Sequence, residues 1–260
     1  MKISKKIYCP LISQELLSIN FCLSECKERC QLPKFFRQYL IENSEKTKIY
    51  SYIYKCTQIA YGCPYYYRFL KQNKFTVIEI LKKIPTTIGK ILHYFFEIIE
   101  KENYKSELQV YKDFILPPRV RLYGTIDLIK YLNDKEVELY DLKFSKITEP
   151  PFSYILQLNI YKYLYEHNYP HTVKNLFLYV LSNSGWITLE VPILSKEYIE
   201  QLIIERLNIF YKILNYDDNF VSIINEDNCK FCPKYINEQC KFSIKNTIDY
   251  SKVKTSNINE

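Results

Sequence analysis

The alternation of apolar and polar positions divides the chain into a helical first third, a middle of paired strands and a helical end. Residues 10–85 read as largely helical and Cys-rich, without clear punctuation between domains. From Thr87 to Glu100 the apolar residues Ile88, Ile91, Leu92, Phe95, Ile98 and Ile99 recur with helical period, so one stripe of a helix is expected. Two β-like runs follow, Leu122 to Ile129 and Val137 to Lys143, and the polar Asn133-Asp134 between them predicts a hairpin. Ser153 to Asn168 reads as a helix. Two further strand-like runs, Asn175 to Leu181 and Trp186 to Val191, flank a Ser184-Gly185 turn. Ser195 is placed to cap a long helix whose apolar side is Ile199, Leu202, Ile203, Leu207, Phe210 and Leu214. The expected organisation is a helical, Cys-rich region over 1–60, an α/β core over 61–244 and a flexible polar tail over 245–260. There are no internal repeats.

Composition changes this picture little. At 260 residues and 47% hydrophobic, the chain can bury one large core. Its formal net charge of +7 favours polyanionic partners only weakly, since a modest positive charge also serves solubility. Twenty-six Tyr beside four Gly suggest the coding bias of an AT-rich genome rather than chemistry. No apolar run approaches the roughly 18 residues that span a bilayer, so no membrane segment is expected. Met1-Lys-Ile-Ser-Lys-Lys has a basic flank without an apolar stretch behind it. A cytoplasmic location (or nuclear, in a eukaryotic or viral setting) is therefore expected, where nine Cys serve as thiols or metal ligands rather than disulfides.

The chemistry concentrates in Leu122-Tyr-Gly-Thr-Ile-Asp127 and Val137-Glu-Leu-Tyr-Asp141-Leu-Lys143. Side chains two apart on a strand share a face, so Asp141 and Lys143 point together and Asp127 on the partner strand can lie opposite. Two carboxylates suit a hard divalent cation that keeps several waters, and a neighbouring ammonium can orient water and offset phosphate charge. An Asp-x-Lys pair on a strand is by itself usually solvated surface. Its neighbours add to it: His93 lies four residues after Gly89, and Tyr161 four after Gln157, each pair on one helix face.

Taken in order, Gly89-x-x-x-His93, Gly124-x-x-Asp127, Asp141-Leu142-Lys143 and Gln157-x-x-x-Tyr161 resemble the motifs of the PD-(D/E)XK nuclease superfamily. More narrowly they resemble its RecB-like branch, which includes the CRISPR-adaptation nucleases and exonuclease V, over roughly residues 60 to 242. The resemblance implies a restriction-endonuclease-like α/β core: a mixed central sheet flanked by helices, here with a helical N-terminal region and a C-terminal Cys cluster. It implies Mg²⁺ or Mn²⁺ held by His93, Asp127, Asp141 and the Leu142 carbonyl, with Lys143 positioning or activating water. Gln157 and Tyr161 would contact substrate, and Glu107 falls where this branch often carries an acid. One departure is Asp141, where Glu is more frequent.

Cys229-Lys-Phe-Cys232 and Cys240 offer three soft ligands that fit zinc or an iron–sulfur cluster. By resemblance to cluster-bearing members of the branch, they would hold a [4Fe–4S] cluster with one earlier Cys. Cys63, in Cys63-Pro-Tyr-Tyr-Tyr, matches that position, and Cys30 is the alternative. Zn²⁺ remains the other cofactor. Cys22, Cys26 and Cys30 recur every four residues and read as a buried stripe of small apolar side chains, with a metal site as the alternative. Arg68, Lys71, Lys230 and Tyr235 near the cluster could follow single-stranded nucleic acid by phosphate contact and stacking. The expected activity is hydrolysis of DNA, chiefly single strands from a 5′ end. The alternative is a nuclease or nucleic-acid-binding subunit, inactive alone, of a larger recombination, repair or CRISPR-adaptation complex. With no Walker motif, any unwinding would come from a helicase partner.

Overall fold

In the computed structural model of the protein, the described residues are 4–8, 16–19, 21–25, 34–42, 53–73, 75–79, 91, 94, 103–116, 119–182 and 185–216. The Cys229, Cys232 and Cys240 cluster, Cys26, Cys30, Gly89, His93, most of the Thr87–Glu100 stripe and the polar tail lie outside them. So do Lys230 and Tyr235.

Among the described residues of 10–85 helices predominate, as expected, but short strands stand between them. Strands β1 (Ser4–Tyr8) and β2 (Leu16–Leu17) precede a π-helical turn at Phe21–Glu25 and helix α1 (Lys34–Glu42). Then come β3 (Ile53–Lys55), α2 (Cys56–Tyr61), α3 (Pro64–Asn73) and β4 (Phe75–Glu79). β1 pairs antiparallel with β2 and parallel with β4 to form a small sheet. β4 lies far from β1 along the chain, so their pairing is beyond the reach of local periodicity. Cys22 packs with Ile7, Leu40 and Ile41, as the reading of a buried apolar stripe requires of that residue.

The main sheet has six strands. β5 (Tyr104–Phe114), β6 (Val120–Asn133) and β7 (Glu136–Phe144) form an antiparallel meander. Helix α4 (Phe152–Asn168) crosses over to β8 (Thr172–Ser182), which runs parallel to β7; β9 (Gly185–Val191) folds back antiparallel, and α5 (Lys196–Tyr216) follows. β3 adds a short parallel pairing to β6. This is the mixed sheet flanked by helices expected of the core. The β6–β7 hairpin, α4, β8, β9 and α5 lie where the pattern put them. β5 was missed, although Leu108, Val110 and Phe114 alternate inward along it.

α4 is buried on nearly every side, from Leu156 and Leu158 to Leu164 and Tyr165, as a central helix must be. Its polar Asn159 is fully used: Nδ2 donates to the Ile155 and Pro192 carbonyls at 2.8 and 2.9 Å, and Oδ1 accepts from Leu194 N at 2.8 Å. The loop between β9 and α5 is thereby tied to α4. Ser195 caps α5, its Oγ accepting from Tyr198 N at 3.3 Å. The inner side of α5, with Ile199, Ile203, Leu207, Phe210 and Leu214, joins the main core alongside Tyr54, Cys56, Ile59 and Ala60 of β3 and α2. No helix among the described residues is long and apolar enough to cross a membrane.

Candidate active site

One edge of β6 changes partner along its length. β3 pairs with Arg121 to Tyr123, and β7 begins to pair at Leu128. Between them Gly124 to Asp127 border a fork in the sheet. Asp127 reaches across it, and its Oδ2 accepts a hydrogen bond from Leu142 N at 2.7 Å. Asp141 lies on β7 one step beyond the last paired couple, Leu128↔Tyr140, and so takes the register position opposite Asp127.

A break in alternation puts both carboxylates on one face. Along β6 the inward residues are Leu122, Gly124 and Ile126, yet Ile129 also belongs to the main core. The switch falls between Ile126 and Asp127. Across from it, β5 pairs at Ser106↔Leu128 and Leu108↔Ile126, and the intervening Glu107 has φ of 50°. A left-handed glutamate is uncommon, and such irregularities gather beside functional sites. Without this one-residue change of face, Asp127 would point away from α4.

α4 supplies the floor. Gln157, 3% exposed, donates from Nε2 to Asp141 Oδ1 and accepts nothing through its own buried Oε1; Tyr161 OH lies 3.0 Å from the same Nε2. Asp141 is 1% exposed, and its Oδ2 is ion-paired with Lys143 Nζ. Burial alone would lower the lysine pKa, but Asp141 and then Asp127 outweigh it, so Lys143 is held above its ordinary value and stays an ammonium. Lys143 Nζ also sits 5.0 Å from the centre of the Tyr154 ring. Tyr61, at the end of α2, meets Tyr154 edge-on at 6.4 Å, and burial pushes its hydroxyl up to about 12. Burial likewise holds Tyr161 protonated, with Cys56 and the two carboxylates adding to the effect.

Gly124 is a close-approach glycine. A Cβ built there would lie 2.5 Å from Tyr161 Cε1 and 2.7 Å from Cys56 Sγ, so a side chain would push α4 and α2 off β6. α2 is in turn held by α5: Arg206 donates to the Ile59 and Ala60 carbonyls at 2.5 and 2.8 Å, capping the helix that carries Tyr61.

Of the residues singled out from the sequence, Asp127, Asp141, Leu142, Lys143, Gln157 and Tyr161 come together. Gln157 and Tyr161 are buried beneath Asp141, Gln157 donating to that carboxylate. Tyr61 and Tyr154 were missed, and among twenty-six Tyr nothing local marks them. Among the described residues no three His, Cys, Asp or Glu side chains converge as a metal cage. The donor set still fits Mg²⁺ or Mn²⁺, which take one or two carboxylates and fill the remaining positions with water and phosphate oxygens.

Cys63 follows α2 and accepts at its carbonyl from Tyr66 N, opening α3. It packs with Tyr65, Ile209 and Ile213, against the last turns of α5.

Residues 80–237 match the sequence model of the PD-(D/E)XK nuclease superfamily. No curated protein matches the chain. A solved structure described as "Crystal structure of SSO0001" superposes with a TM-score of 0.54 at 19% identity, covering 81% of this chain and 96% of that one. At that identity it speaks for the fold alone.

Proposed function

The chain belongs to the PD-(D/E)XK nuclease superfamily, and from that membership we propose a metal-dependent deoxyribonuclease of the RecB-like branch that degrades single strands from a 5′ end. The observation that carries this reading is the convergence of Asp127, Asp141 and Lys143 at the fork of the sheet. Asp127 and Asp141, with the Leu142 carbonyl and His93, would hold Mg²⁺ or Mn²⁺. Bound there, the cation supplies positive charge to the scissile phosphate and acidifies the attacking water. Lys143, kept charged by the two carboxylates, binds a phosphate oxygen and steadies the charge that develops on it. Gln157 fixes the Asp141 carboxylate through Nε2, and Tyr161 fixes Gln157. Gly124 lets the helix bearing both approach.

A cluster held by Cys63, Cys229, Cys232 and Cys240 would tie the α2–α3 junction to the chain beyond α5. Cys63 packs on Ile209 and Ile213, and α5 ends at Tyr216. The 13 residues from Tyr216 to Cys229 (229 minus 216) can extend about 43 Å, ample for a return to Cys63. Three thiolates near one another and one distant suit a [4Fe–4S] cluster, with Zn²⁺ as the alternative. A tie of this kind would bridge one side of the site and favour a threaded single strand over a duplex. Anaerobic protein is expected to be brown and to carry about four irons per chain. Cys63→Ser, Cys229→Ser, Cys232→Ser and Cys240→Ser are each expected to bleach it, and Cys22→Ser to leave the colour. Stoichiometric zinc without iron would replace the cluster and keep the clamp.

The experiment for the activity uses end-labelled linear and circular single-stranded DNA and blunt duplex, with Mg²⁺ or Mn²⁺. Linear single strands should shorten from the 5′ end, circles should resist, and duplex should stay nearly intact unless a helicase is supplied. Asp127→Ala, Asp141→Ala and Lys143→Ala should each abolish cleavage while DNA binding persists. Near wild-type turnover in Asp141→Ala would remove the assignment, and equal rates on circles and linear strands would remove the need for an end. Binding without cleavage by the wild-type chain would favour a subunit that needs a partner.

A further inference from the structure

We propose that Tyr154, braced by Tyr61, is a positioning residue for hydrolysis: its ring face holds the Lys143 ammonium at the fork, an inference that rests on the nuclease reading above. Tyr154, Gln157 and Tyr161 follow one another at i, i+3 and i+7 on α4, so they form a single line down the face turned to the carboxylates. The Gln and the second Tyr act on Asp141. The first Tyr lies under Lys143, with Nζ 5.0 Å from its ring centre, inside the range of an effective cation–π contact.

The chemistry gives this contact a purpose that another carboxylate could not serve. Asp141 Oδ2 is ion-paired with Lys143. A divalent cation held by Asp127 and Asp141 would compete for that carboxylate and repel the ammonium. Lys143 then needs an attraction that neither ligates a metal nor accepts a proton. An aromatic face provides one, since its quadrupole attracts the cation without offering a lone pair. The lysine can therefore stay beside the scissile phosphate instead of swinging out to solvent.

The ring is itself held in place. Tyr61 meets it edge-on at 6.4 Å and 73°, the arrangement that aromatic pairs prefer. Pro151 N-caps α4, and its carbonyl accepts from Tyr154 N at 2.9 Å, so Tyr154 sits in the first, pinned turn of the helix. Arg206 secures the end of α2 that carries Tyr61. Two helices and a half-buried arginine thus converge on the orientation of one amine.

The test separates the contact from the activity. In metal-free protein labelled with ¹³C-lysine, the Lys143 Cε resonance is assigned as the peak missing from the Lys143→Arg spectrum. In the wild type its protons should be shifted upfield by the ring current of Tyr154. Tyr154→Phe should keep that shift, and Tyr154→Leu should lose it. On linear single-stranded DNA with Mn²⁺, Tyr154→Leu should lower kcat about tenfold, the worth of a partly desolvated cation–π contact, and leave KM within about twofold. Tyr154→Phe should restore most of the rate, which a role for the hydroxyl would forbid. An unshifted wild-type resonance overturns the proposal whether or not any variant folds. A Phe variant as slow as the Leu variant overturns it too, as does a Leu variant with wild-type kcat. Absence of cleavage by the wild type would remove the nuclease reading and with it the role in hydrolysis, while the ring-current shift reports the Tyr154–Lys143 contact independently.

Discussion

Gly124→Ala adds a single methyl at the most crowded point of the fork, and its cost can be worked from the structure. The new Cβ would lie 2.5 Å from Tyr161 Cε1, 3.2 Å from Tyr161 Cδ1 and 2.7 Å from Cys56 Sγ. Ordinary carbon contacts begin near 3.5 Å, so the Tyr161 ring must retreat by about 1 Å. Tyr161 is 4% exposed and Cys56 1%, so neither has free space to enter. Overpacking of this kind costs about 1–3 kcal/mol. Taking about 2 kcal/mol, the melting temperature should fall by roughly 4–8 °C. Activity should suffer more than stability. The Tyr161 hydroxyl lies 3.0 Å from Gln157 Nε2, which is itself 3.0 Å from Asp141 Oδ1. A shift of about 1 Å takes the first of these outside hydrogen-bond range and frees the carboxylate to rotate. Misplacement of that size at a reacting group costs about a hundredfold in rate. Thermal melting by circular dichroism and cleavage of end-labelled single-stranded DNA would read the two effects. Adding Cys56→Ala removes one of the two collisions and should recover part of the melting temperature. A Gly124→Ala protein with unchanged melting and wild-type turnover would refute the close-approach argument.

Three further outcomes follow from other contacts. Asn159→Leu strands the Leu194 N–H and the Pro192 carbonyl, and should lower stability by about 3 kcal/mol in urea unfolding. Arg206→Met uncaps α2 and should cost about 2 kcal/mol, with a fall in kcat because Tyr61 loses its support. Asp113 is held down to about 2 by its hydrogen bonds to Arg121 and the charges of Arg121 and Arg119. A depressed carboxylate contributes stability that is fully present above its unfolded pKa, near 3.9, and that fades as pH falls through about 2. Asp113→Asn should therefore lower the melting temperature slightly at pH 6 and by clearly less near pH 2. An equal loss at both pH values would show that charge is not the cause.

The sequence alone determined which residues could do the chemistry and what local structure would carry most of them. Asp141 and Lys143 share a face because a strand has period two. Gln157 and Tyr161 share one because a helix repeats every 3.6 residues. Both periods are local, so both can be read from spacing. The hairpin at Asn133-Asp134, the Ser195 cap and the inner side of α5 were legible for the same reason. Tertiary structure decided the rest. β1, β3 and β4 are strands because of hydrogen-bond partners distant along the chain. Asp127 faces Asp141 because β6 reverses its alternation opposite the left-handed Glu107, a backbone event that no hydrophobic pattern announces. Tyr61 reaches Tyr154 through the packing of α2 against α4, and Tyr154 reaches Lys143 from a helix that the sequence joins to β7 only through a loop. Spacing within one element gave each motif its shape, while the fork in the sheet and the close approach at Gly124 brought the motifs into one site, since cross-strand register and interhelical distance depend on contacts between residues remote in the chain.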